Sequence, residues 1–82
     1  MAKRVGRIVN YLDHIGVAVL EVETDSVKTG DRIRIGEEGE GVEMEVTSMQ
    51  IDHKAVDEVK KGEDCGLKVD EAVKKGSAVY KL

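Results

Sequence analysis

The sequence predicts an all-β fold, a small closed six-stranded Greek-key-like barrel, and three observations carry that expectation. The aliphatic set is dominated by 13 Val and 5 Ile against 4 Leu and 5 Ala. β-branched side chains suit a pleated sheet and lose rotamer freedom in a helix. Short runs alternate apolar and polar residues with a period of two, as half-buried strands do. A phrase built on Val-Lys-x-Gly recurs between these runs as VKTGD (27–31), VKKGE (59–63) and VKKGS (73–77). In each the Val packs inward, the Lys stays solvated, and Gly30, Gly62 or Gly76 supplies a positive φ for a structural turn. Repeated turn chemistry at the corners of one barrel accounts for the phrase better than the alternative, an internal duplication, does.

The strands follow in order. Residues 5–12 (VGRIVNYL) place Val5, Val9 and Tyr11 on one face and Ile8 and Leu12 on the other. Residues 15–24 (IGVAVLEVET) turn Leu20 and Val22 inward and Glu21 and Glu23 outward, with Asp13-His14 before them as a tight hairpin. Residues 31–36 (DRIRIG) alternate cleanly, Ile33 and Ile35 inside, Arg32 and Arg34 outside. Residues 37–41 read as a polar loop, and 42–46 (VEMEV) put Val42, Met44 and Val46 on one face. Beyond them Met49 and Ile51 continue the apolar set one residue out of phase, which predicts a β-bulge near Thr47-Ser48. EDCGLKV (63–69) and SAVYKL (77–82) complete the set. DEVKK (57–61) and DEAVKK (70–75) are too short for stable helices and read as connectors.

The 82 residues suit a single domain, residues 1–82. With no Phe, Trp or Pro, its core is filled by small aliphatic groups. One Cys excludes an internal disulfide and fits a reducing compartment. The longest apolar run, IGVAVL (15–20), is far short of a membrane span, so the expectation is a cytoplasmic protein with no membrane association.

Little in the chain points to catalysis. The Gly-rich GEEGEG (36–41) lacks the Lys-Ser/Thr of a phosphate loop and holds three Glu, which repel phosphate. His14, His53 and Cys65 lack metal-ligand spacing, so no metal and no cofactor is expected. Cys65 reads as a small core hydrophobe. Five acids between Glu37 and Glu45 give one edge a strongly acidic character, while Glu43 and Glu45 read as a solvated strand face. Lys3, Arg4 and Arg7 open the first strand and Arg32 and Arg34 share an outward face, so these bases are the candidate phosphate contacts. Tyr11 and Tyr80 are the only aromatics available for stacking.

The order of these features resembles domain 2 of the translational GTPases, such as elongation factor Tu. The resemblance is carried by VGRIVNYLDHIGVAVLEV (5–22), VKTGDRIRIG (27–36), VEMEVTSMQIDHKAVDEVKKGEDCGLKV (42–69) and VKKGSAVYKL (73–82). It implies a translation elongation factor-like β-barrel standing without a GTPase domain. Ser48 stands where that family has the acid that helps hold the aminoacylated tRNA end, and Gln50 stands where it has a Phe. A similar domain also occurs at the C-terminus of collagenase-like peptidase family proteins, several of which look like RNA-modification factors. The resemblance implies a non-enzymatic binding module for ribosomal RNA, tRNA or a translation-associated protein. In it Lys3, Arg4, Arg7, Arg32 and Arg34 contact phosphates and Met49 with Gln50 lines a shallow pocket. The alternative is a protein-interaction or accessory subunit for an RNA-modifying or collagenase-like peptidase family enzyme.

Overall fold

The structure, a computed structural model, describes residues 3–37, 39 and 41–82. Glu38 and Glu40, which belong to the acidic 37–45 edge, lie outside the described residues, as do Met1 and Ala2 of the basic N-terminal stretch.

Ten strands make up the regular structure: β1 (Lys3–Leu12), β2 (Val17–Val22), β3 (Ser26–Lys28), β4 (Arg32–Ile35), β5 (Val42–Glu45), β6 (Met49–Ile51), β7 (Lys54–Val56), β8 (Glu58–Lys60), β9 (Asp64–Lys68) and β10 (Ala78–Lys81). No helix occurs among the described residues, and none could therefore cross a membrane. The all-β class is thus observed. Eight strands form one curled sheet in the order β5-β4-β10-β1-β2-β9-β6-β7, and β3 and β8 form a separate two-stranded ribbon.

The closed six-stranded barrel is not what forms. The sheet is a curled half-barrel whose terminal strands β5 and β7 do not pair with each other. The run 42–51 explains the curl. Its first half, β5, pairs with β4, and its second half, β6, pairs with β9 and β7. Between them the Val46 amide donates to the Asp31 carbonyl at 2.8 Å, while the Ser48 carbonyl accepts from the Lys68 amide at 3.1 Å. Burial passes from Met44 and Val46 to Met49 across this step. The phase slip read near Thr47-Ser48 is therefore a corner at which the chain changes partners, rather than a bulge within one ladder.

True bulges lie in β1. Its register slips between Arg4 and Gly6 against β10, and between Ile8 and Asn10 against β2. The slips let Val5 and Ile8, three positions apart, both enter the core, and bulges add the bend a curled sheet needs. The expected division of β1 into two regular faces fails for this reason. The tight hairpin is also displaced. Residues 13–16 form a longer loop between Leu12 and Val17, whereas Asp52-His53 joins β6 to β7 in two residues. Both have positive φ, 52° and 65°, as a type I′ turn demands.

The connector reading of 57–61 gives way to strand β8, in which Val59 pairs directly with Val27 of β3. The two turns that follow are alike. The Lys28 amide donates to the Asp31 carboxylate at 2.8 Å, and the Lys60 amide to the Glu63 carboxylate at 2.9 Å. Gly30, Gly62 and Gly76 have φ of 93°, 88° and 90°. In all three turns the amide after the Gly donates to the carbonyl three residues back, at 3.1, 3.0 and 3.2 Å.

One contiguous cluster fills the interior. Val5, Ile8, Leu20, Val22, Ile33, Ile35, Leu67 and Val79 come from the curled sheet, and Val27 and Val59 from the ribbon.

Candidate functional site

The predicted basic residues are brought partly together, and most of them face carboxylates. Arg7 stands opposite Glu21 in the β1–β2 ladder. Its Nε lies 3.4 Å from Glu21, and an Arg4 nitrogen lies 3.4 Å from Glu23. Lys3 Nζ is 3.5 Å from Asp25, and Lys81 Nζ is 3.4 Å from Asp31. The rim thus alternates Lys3, Arg4, Arg7 and Lys81 with Glu21, Glu23, Asp25 and Asp31. The pairs made by Lys3, Arg4 and Arg7 are exposed and contribute little to stability, on the order of 0–1 kcal/mol each, whereas Lys81 and Asp31 are half-buried. They do, however, balance the charge that a phosphate backbone would seek.

The other predicted residues separate. Arg4, Tyr80, Arg34 and Glu43 form one cross-strand row over β1, β10, β4 and β5. Arg34 is only 9% exposed. Its guanidinium sits 4.6 Å from the centre of the Tyr80 ring, and its Nε donates to the Gly36 carbonyl at 3.1 Å. A cation–π pair of this kind occupies a ring face that a base would otherwise stack on. Arg34 is therefore a packing residue and not part of an open patch. Arg32 is exposed, opposite Glu45. Met49 is 1% exposed and sits in the core, so it lines no surface pocket. Gln50, its neighbour in β6, points to the outside.

Cys65 is a core residue. Burial, followed by the nearby charges of Asp64 and Glu63, pushes its thiol up to about 12. A thiol held protonated at neutral pH is a poor nucleophile and a poor metal ligand. Among the described residues no group of three or more His, Cys, Asp or Glu side chains is placed to hold a metal.

Two open depressions mark the surface. One lies over Gly36, Gly41, Val73 and Ser77, with Arg4 at its edge. The other is a groove on the outer face of β2, β9 and β6. Val19, Gln50, Gly66 and Cys65 line it together with the acids Asp52, Glu63 and Asp64. The sequence reading missed this groove. The available signal was Gly66 inside the strand run EDCGLKV, since a glycine in a strand interior marks a bulge or a close approach.

No protein-family model matches the chain. An uncharacterized protease of Methanocaldococcus jannaschii is 44% identical over 79 residues, a stretch that makes up 95% of this chain and 19% of that protein. The chain therefore spans about a fifth of the length of the curated relative it matches. Among solved structures, the C-terminal domain of a Geobacillus thermoleovorans protein described as a U32 peptidase superposes with a TM-score of 0.85 at 16% identity, covering 98% of this chain and 92% of that one. Its selenomethionine variant gives 0.83 at 16% identity, covering 94% and 96%. At that identity the likeness is one of fold.

These findings overturn the resemblance to domain 2 of the translational GTPases and, with it, the translation-factor reading: the relative is described as an uncharacterized protease and the structural neighbours as the C-terminal domain of a U32 peptidase. The motifs behind that resemblance were a Gly turn followed by an alternating strand. Many small β folds need such turns for the same steric reason, so the pattern reports on corners rather than on lineage. The second resemblance, to the C-terminal domain of collagenase-like peptidase family proteins, agrees with the comparisons.

Proposed function

We propose that this chain is a non-catalytic accessory and protein-interaction domain that works with a peptidase of the U32 type. One observation carries the reading. The similarity to the archaeal protease spans almost the whole of this chain but only 19% of that protein, so the chain corresponds to one part of a larger enzyme. Its fold matches a part that has been crystallised as a C-terminal domain. The chemistry of the chain supports a binding role, because its one thiol is buried and held protonated.

RNA binding is the lesser reading. It rests on Lys3, Arg4, Arg7 and Arg32, and acids face these bases across the rim or the ladder.

The test mixes this chain with the archaeal protease, both intact and lacking the matching stretch, and follows association by size-exclusion chromatography with light scattering. A stoichiometric complex with the truncated protein is the expected result. Separate elution from both forms refutes the accessory role. Cleavage of a denatured protein substrate by this chain alone refutes the non-catalytic one. Filter binding to tRNA and ribosomal RNA at low salt is expected to show no retention, and retention that falls steeply with salt would favour the RNA reading.

A further inference from the structure

The outer face of the curled sheet carries a row of uncharged side chains. Reading across β1, β2, β9, β6 and β7, the register places Asn10, Val19, Gly66, Gln50 and Ala55 side by side. The chain is 37% charged, yet none of these five is. The adjacent row adds Leu12 and Val17 and then ends in the exposed Lys68, and Ile15 in the following loop is 57% exposed. The row on the other side ends in Asp64.

Gly66 lies at the centre of this face, and its backbone does not require glycine. Its φ is not positive. A Cβ there would meet one side chain closely, the half-buried Val17 through its Cγ1 at 3.2 Å, which would have to shift by a few tenths of an ångström. Glycine in a strand interior is destabilising relative to Ala. Such a glycine commonly marks where another backbone approaches. The groove it opens has Asp52, Glu63 and Asp64 in its lining. Asp64 and Glu63 are close enough to the Cys65 thiol to add to the effect of its burial.

We propose that this groove docks an extended segment of a partner protein, seating an aliphatic side chain over Gly66 and a Lys or Arg against Asp52, Glu63 and Asp64. Alternate residues of an extended chain share a face about 7 Å apart. The recognised pattern is therefore a base and an aliphatic residue separated by one position. A nucleic acid would bring phosphates against three carboxylates, which disfavours it here. The proposal depends on the accessory reading only for the identity of the partner, and not for the groove or its chemistry.

The test titrates the isotopically labelled chain with a capped peptide of repeating Lys-Ser-Val-Ser, followed by amide NMR. Its counterpart carries Glu in place of Lys. The Lys peptide is expected to shift the amides of Gln50, Asp52, Asp64 and Gly66. Replacing its Lys by Glu, or pairing Glu63→Gln with Asp64→Asn in the domain, should weaken binding by about tenfold or more. Gly66→Ala should weaken it while leaving thermal stability unchanged or raised. Absence of shifts, shifts confined to another face, equal binding of the Glu peptide, or an oligouridylate moving the same amides would each overturn the proposal. Peptide binding here without association with the protease would sink only the accessory reading. A protease complex that leaves these amides unmoved would sink only the groove.

Discussion

Raising the pH should weaken this fold through a single thiol. Cys65 is 3% exposed and stands opposite Leu20 in the β2–β9 ladder. Its thiolate is disfavoured by burial first and then by Asp64 and Glu63, which moves its pKa from 9.0 to about 12. In the unfolded chain the thiol ionises near its ordinary value. The native state therefore holds the proton to higher pH than the unfolded state does. The stability linked to that proton is complete below about pH 9 and is lost progressively as pH rises toward 12. Each pH unit above the unfolded pKa is worth about 1.4 kcal/mol, so at about pH 10.5 the thiol should cost about 2 kcal/mol. Lys and Tyr residues also titrate in this range, and Cys65→Ala isolates the thiol. Urea denaturation of both proteins at pH 7 and at about pH 10.5 should show wild type losing about 2 kcal/mol more than the variant. Thiolate absorbance of the native protein should rise only well above pH 9. Equal losses in the two proteins, or a native thiol titrating near 9, would refute both the burial argument and the case against Cys65 as a nucleophile.

Two further perturbations test the frame that positions the groove. Leu20, fully buried opposite Ile8 and Cys65, should cost about 2–5 kcal/mol when changed to Ala, a fall of about 10 °C or more in Tm by calorimetry; a loss below about 1 kcal/mol would mean that the curled sheet does not close over this residue. Gly62→Ala should cost about 1 kcal/mol by urea denaturation because φ there is 88°, with Gly62→Asn costing less, and an unaltered midpoint for Gly62→Ala would argue against the left-handed turn.

Much of the local architecture was legible in the chain. Arg32-Ile33-Arg34-Ile35 announces a strand by its alternation, and the Val-bearing turns announce corners by a chemistry in which glycine alone accepts a positive φ without strain. The shift from Met44 and Val46 to Met49 announced a break in phase. The partners across each strand were not legible, because pairing is a choice among distant segments that all carry the same alternation. Val27 meets Val59 in a ribbon that no local pattern reveals, and the two slips of β1 are seen only in its registers against β10 and β2.

The basic residues show the same division. Lys3, Arg4 and Arg7 are visible in the sequence as positive charge, and their neutralisation by Asp25, Glu23 and Glu21 is visible only after the chain folds back. By itself, then, the sequence determined an all-β class, its corners and its aliphatic interior, since these follow from side-chain shape and short-range sterics. Tertiary structure alone decided that the sheet curls without closing, that Arg34 lies on Tyr80 and not in solvent, and that Gly66 opens a groove between Val19 and Gln50. Each of those depends on register between separate strands, and register is set by the packing of the whole core.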